Sequence, residues 1–254
     1  GSFEGLQDTV ARLRAPDGCP WDREQTHESL RAALLEEAYE SAAAIDRGDV
    51  DDLQEELGDL LLQIILQTQI ATEGGDFKMP AVIAGIDAKL KYRHPHVWGD
   101  VAVEDTGEVL YNWEELKRQE KGERESILDG VPPALPALQQ AHTYGRRVAR
   151  IGFDWSDVDG VVAKVREEMA ELLSASGRER REAELGDLLF AVANWARWLD
   201  LDPETALRRA NARFARRFRH LERAAKDRDL DLADLSIDEL ERFWQQAKSH
   251  EDTP

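Results

Sequence analysis

A single cysteine, Cys19, stands in 254 residues, so no disulfide can close within the chain. That usage fits a reducing compartment, and the cytoplasm is the expected location. A basic excess is also missing. Thirty-three Lys and Arg face 52 Asp and Glu, a formal net charge of −19. A surface that negative repels nucleic-acid phosphate and anionic lipid, which argues against nucleic acid and membrane as partners. No long apolar run is present. The longest, Leu60 to Leu66, is broken by Gln63 and falls far short of the ~20 residues of a membrane span. No basic segment leads into an apolar one near the start, so no signal peptide is expected, and Gly1-Ser2 reads as the remnant of a cleaved tag. Alternating β-branched runs are scarce and Asn-Gly turns are absent, which leaves strands little support. What remains is 42% hydrophobic and 33% charged, the composition of a globular chain able to bury a core.

The apolar residues that are present follow a helical period. Leu57, Leu60, Leu61 and Ile64 fall at i, i+3, i+4 and i+7, and Leu185, Leu188, Leu189 and Val192 repeat the spacing. The string Glu-Leu-Gly-Asp-Leu-Leu occurs at Glu56 to Leu61 and again at Glu184 to Leu189. Glu37 and Glu168 are 131 residues apart, Asp59 and Asp187 128, Trp113 and Trp244 131. Such near-constant offsets indicate a duplicated unit with small loop insertions. Pro132, Pro133 and Pro136 interrupt the helical pattern between the copies. The expected organisation is an N-terminal unit over 3–130, a connecting helical segment over 131–150 and a C-terminal unit over 151–254. Asp202 ahead of Pro203 predicts a helix start. His94 to Gly107, with Pro95 between two histidines, reads as a loop.

The chemistry lies in a pattern of acids found twice. Glu36-Glu37-x-x-Glu40 is followed after fifteen residues by Glu56-x-x-Asp59, and Glu167-Glu168-x-x-Glu171 after twelve by Glu184-x-x-Asp187. Three residues are nearly one helical turn, so each pair shares a face. A short connection makes the two helices antiparallel neighbours, and two carboxylates from each converge. Glu168 shares a seam with Val165, Met169 and Leu172, which is not a solvated face. Carboxylates gathered beside a core repel one another and need protons or a counter-cation. A hard divalent ion with oxygen ligands answers that need. No His follows a motif Glu at three residues, which points away from di-iron redox chemistry and toward Mg²⁺, with Mn²⁺ as the alternative. Gly58 and Gly186 each cost about 1 kcal/mol in a helix interior, which predicts a close approach to the backbone there. A single ExxE usually just faces water; the paired motif, repeated in register, favours a site.

These residues resemble the MazG family of all-α nucleoside triphosphate pyrophosphohydrolases, whose motif is EExxE, a spacer, then ExxD. Gly18-Cys19-Pro20-Trp21-Asp22 with Gln25-Thr26-His27 is similar to the opening of its tandem members, as is Arg93-His94-Pro95-His96, and Gly152-Phe153-Asp154-Trp155 looks like the entry to the second domain. The resemblance spans almost the whole chain. It implies an all-α fold of two tandem four- or five-helix units, each with a metal site on packed antiparallel helices. It implies Mg²⁺-dependent cleavage of ribo- and deoxynucleoside triphosphates between the α- and β-phosphates, giving the monophosphate and pyrophosphate.

By that resemblance Glu37, Glu40, Glu56 and Asp59 are metal ligands in the first unit and Glu168, Glu171, Glu184 and Asp187 in the second. Glu36 and Glu167 orient or deprotonate the attacking water. Phosphate is held by Lys89 and Arg93 in one copy and by Arg213 and Arg217 in the other, where Arg213 replaces the usual Lys. Trp113 with Lys117 and Trp244 with Lys248 close each unit, either as a platform for a base or as a helix packed on the core. His94 and His96 lack a third ligand partner and read as structural or substrate-proximal. In tandem members the C-terminal unit is generally the hydrolytic one and the first serves association; a homodimer is implied. The alternatives are a non-catalytic dimerising or nucleotide-sensing helical module, and a narrow house-cleaning dNTP pyrophosphatase.

Overall fold

The computed structural model describes residues 1–120 and 126–251. Among these, helices account for all regular structure, as the sequence period requires. The chain divides into two compact units, Gly1–Gly122 and Glu123–Pro254. Among the described residues no helix is long and apolar enough to cross a membrane.

The first unit contains α1 (Phe3–Leu13), α2 (Pro20–Glu24), α3 (Arg31–Arg47), α4 (Val50–Gly74), α5 (Met79–Arg93), α6 (Pro95–Trp98) and α7 (Thr106–Glu120). Its centre is the α3–α4 pair. Gly48 closes α3 in the left-handed region (φ 68°), a conformation that favours glycine. The next residue, Asp49, caps α4 by accepting from the Asp52 N–H at 3.1 Å. A turn that tight forces the two helices back along each other. Leu61, Leu62, Ile65, Leu66 and Ile70 of α4 then bury against Val10 and Leu6 of α1, Leu30 and Met79. The Arg14 side chain, 5% exposed, locks the end of α1 to the end of α4 through Glu73 at 2.8 Å, and donates to the Gln25 carbonyl at 3.2 Å. Gly18 has no room for a Cβ, which would lie 2.2 Å from the Leu13 carbonyl oxygen. The Gly18 to Gln25 opening thus serves to fold the N-terminus over α4.

The second unit contains α8 (Ala137–Ala149), α9 (Val158–Ser174), α10 (Arg178–Trp198), α11 (Pro203–Lys226) and α12 (Ile237–Glu251). Asp157 caps α9, and Asp202 caps α11 by accepting from Thr205 N–H, as its place before Pro203 predicts. Three residues, 175–177, join α9 to α10, again enforcing an antiparallel pair. Helix α8, expected as a connector, packs on α10 and α11 within this unit. Asp154 pins the preceding loop to the end of α10, accepting from Arg197 at 2.6 Å and from the Trp198 indole at 3.1 Å.

Two local expectations are corrected. His94 to Gly107 is not wholly a loop, because Pro95 starts the short helix α6 and α7 begins at Thr106. Gly58 and Gly186 meet nothing within 4 Å of where a Cβ would stand, so no part of their own chain approaches them.

Candidate metal centres

The turn at Gly48-Asp49 brings Glu37 of α3 opposite Glu56 and Asp59 of α4, and one carboxylate oxygen of each lies within 4.8 Å of the others. Glu40 stands one turn on along α3. Burial first, then the charges of Asp59, Glu40 and Glu36, raise the Glu37 pKa above the ordinary glutamate value. Burial first, then Glu40, Asp52, Glu37 and Asp59, does the same to Glu56. All four predicted acids of this unit therefore feel one another. Glu36 is exposed beside them.

In the second unit the mutually close set is Glu168, Glu171 and Glu184, again within 4.8 Å. Burial, then Glu184, Glu168 and Glu167, raises the Glu171 pKa. Asp187 is exposed and stands outside this close set. Glu168 is 5% exposed and Glu167 is exposed. Lys164 of the same helix bonds to both, at 2.7 Å to Glu168 and 2.8 Å to Glu167. Arg180 reaches Glu184 at 3.4 Å. Neither cation was singled out from the sequence, although Lys164–Glu168 and Arg180–Glu184 both have the i, i+4 spacing that lets helical side chains meet.

Both clusters fit a hard divalent cation. Their donors are carboxylate oxygens without His or Cys, which suits Mg²⁺ or Mn²⁺ and not a soft metal. The pKa values of Glu37, Glu56 and Glu171 are raised first by burial and then by the neighbouring carboxylates, whose repulsion a bound cation would offset.

The predicted basic and aromatic residues fall differently in the two units. Lys89 is exposed on α5, whereas Arg93 is 8% exposed, with its guanidinium 5.2 Å from the centre of the Trp113 ring. Lys117 lies 4.7 Å from the same ring. Arg213 is exposed on α11 and Arg217 half-buried. Trp244 of α12 lies 5.1 Å from Phe214 of α11, which stacks at 6.1 Å on Phe218, and Lys248 sits 6.0 Å from the Trp244 ring. Phe214 is 58% exposed, an aromatic that the sequence reading passed over. His94 and His96 have ring centres 5.7 Å apart, with His94 bonded to the Leu90 carbonyl.

Duplicated antiparallel helix pairs, each gathering carboxylates at one edge, define an all-α protein with two acidic, cation-suited centres. The chain belongs to the MazG family. Residues 25–98 match the MazG nucleotide pyrophosphohydrolase domain. The chain is 43% identical over 252 residues to a nucleoside triphosphate pyrophosphohydrolase/pyrophosphatase MazG of Thermotoga maritima, covering 99% of this chain and 97% of that protein. It is 44% identical over 257 residues to a nucleoside triphosphate pyrophosphohydrolase of Escherichia coli, covering 98% of each. It is 34% identical over 262 residues to a nucleoside triphosphate pyrophosphohydrolase of Mycolicibacterium smegmatis, covering 97% of this chain and 71% of that protein.

Proposed function

We propose that this chain hydrolyses ribo- and deoxynucleoside triphosphates to the monophosphate and pyrophosphate with Mg²⁺, and that the second unit carries the reaction. The observation behind this reading is the convergence of Glu168, Glu171 and Glu184 on one point, without His or Cys, in a chain whose full-length relatives are named for this activity. Glu168, Glu171 and Glu184 hold the ion and Asp187 completes the set. A bound Mg²⁺ ion offsets the charge of the triphosphate and of the transition state. Glu167 orients the water that attacks the α-phosphorus and takes its proton, and the bond to the bridging oxygen of pyrophosphate breaks. Arg213, Arg217 and Lys248 hold phosphate oxygens, and the base stacks on Trp244.

The choice of the second unit rests on the basic residues. Arg93 of the first unit is packed away on Trp113, whose ring already carries two cations, while its counterpart Arg217 is only half-buried and Trp244 neighbours the exposed Phe214. The first cluster, with Glu37, Glu40, Glu56, Asp59 and Glu36, serves as a second metal site in a unit given over to association. A homodimer follows from uncovered apolar residues. Leu57 and Ile64 beside the open Gly58, and Leu185, Leu189 and Val192 beside the open Gly186, leave matching stripes exposed in both units. Pairing of these helices across subunits covers them and supplies the close approach that the glycines permit.

The test is metal dependence. Turnover of ATP and dNTPs is abolished by EDTA and restored by Mg²⁺. Undiminished turnover in EDTA contradicts the proposal, and no turnover with Mg²⁺ across the substrates favours the interaction-module reading instead.

A further inference from the structure

The two acidic clusters differ in the cations the protein itself supplies. In the second, Lys164 Nζ lies 2.7 Å from a carboxylate oxygen of Glu168, whose side chain is 7% exposed, and Arg180 lies 3.4 Å from Glu184, whose side chain is 13% exposed. Both acids belong to the converging set. A carboxylate that buried is costly without a partner, and Lys164 is the partner the protein itself supplies. In the first unit the same offsets that relate Glu37 to Glu168 and Asp59 to Asp187 put Ala33 where Lys164 stands and Asp52 where Arg180 stands. Among the described residues no cation pairs with Glu37, Glu56 or Asp59.

We propose that Lys164 is a tethered counter-cation that holds Glu168 until a divalent ion displaces it, so that the first cluster fills with metal before the second. The inference rests on the metal reading of both clusters. Lys164 sits one helical turn before Glu168 and also bonds Glu167 at 2.8 Å, so it need only let go of one oxygen and stays beside the site. Its side chain is 37% exposed, which leaves the ammonium a path to water once released. The first cluster has no such competitor: Arg47 of α3 is paired with Asp52, which is outside the converging set. Entry of an ion there costs no protein ion pair, whereas entry at the second cluster replaces one.

Mn²⁺ binding to the full chain, followed by the electron paramagnetic resonance of the free ion, tests this without any turnover. The parent protein shows a tight and a weak class of site. The double variant Glu37→Gln, Asp59→Asn removes the tight class. Lys164→Met, which keeps the apolar stem, tightens the weak class by on the order of tenfold, the scale of removing one unit charge some 5 Å from a divalent ion in a water-like medium. Ala33→Lys weakens the tight class in return. Thermal melts verify that each variant folds. Weak-class affinity in Lys164→Met equal to or below the parent's overturns the inference. Mn²⁺ bound nowhere in any form overturns the metal reading beneath it as well.

Discussion

Glu37 on α3 and Asp59 on α4 are 22 residues apart in sequence, yet their carboxylate oxygens lie within 4.8 Å. The fold stores that repulsion, and it has a pH signature. The folded chain binds protons on Glu37 and Glu56 more tightly than the unfolded chain does. Stability without metal therefore falls as pH rises from the ordinary glutamate value of 4.5 through the raised folded-state values. Above that window a divalent ion, if bound there as proposed, should offset the loss. Melting temperatures with Mg²⁺ and with EDTA should differ near neutral pH and converge near pH 4. A difference that persists unchanged at pH 4 contradicts the cluster as the site of binding.

Neutralising one ligand separates stability from function. Glu37→Gln removes a repelling charge and should raise the metal-free melting temperature by about 2–4 °C, while abolishing most of the Mg²⁺-induced gain. Glu168→Gln should lower kcat/KM by at least about a hundredfold. Melting curves and steady-state kinetics check both.

Arg93 matches Arg217 in the duplicated sequence and Lys89 matches Arg213; Arg93 is buried and Arg213 exposed. Arg93→Ala should cost about 2 kcal/mol of stability, through lost packing on Trp113. Arg213→Ala should leave stability within about 0.5 kcal/mol and raise KM about tenfold. An Arg93→Ala variant with unchanged melting and a large rise in KM would move the phosphate site to the first unit.

Asp154 joins the loop before α9 to α10. Burial works to raise its pKa, but the Arg197, Trp198 and Trp155 hydrogen bonds outweigh it and hold the carboxyl below the ordinary aspartate value. Its contribution is therefore present above pH 3.8 and lost as pH falls through the lower folded-state value. Asp154→Ala should destabilise the chain by about 2–3 kcal/mol, since Arg197 is left 15% exposed without this partner. Denaturant unfolding measures it.

Much of this was legible in the leucine spacing and the doubled Glu-Leu-Gly-Asp-Leu-Leu string, because helical period and a short turn suffice to bring Glu56 and Asp59 against Glu37. The capping of α11 by Asp202 was equally local. Other features depend on what packs from a distance. Arg93 looked like a phosphate ligand, but its burial is set by Trp113, twenty residues on. Gly58 and Gly186 suggested a close neighbour, yet the space beside each is open within the chain. Lys164 carries a readable signal in its i, i+4 spacing to Glu168, one that a pattern of acids alone does not include. Helix α6 is only four residues long, too short for any period to reveal.

The reaction, and its assignment to the second unit, are tested by the identity of the products from ATP and dNTPs with Mg²⁺, for the parent chain, Asp59→Ala and Asp187→Ala. Monophosphate and pyrophosphate are expected from the parent and from Asp59→Ala, with both lost in Asp187→Ala. Diphosphate and inorganic phosphate from the parent, or activity that survives in Asp187→Ala and vanishes in Asp59→Ala, would contradict the proposal.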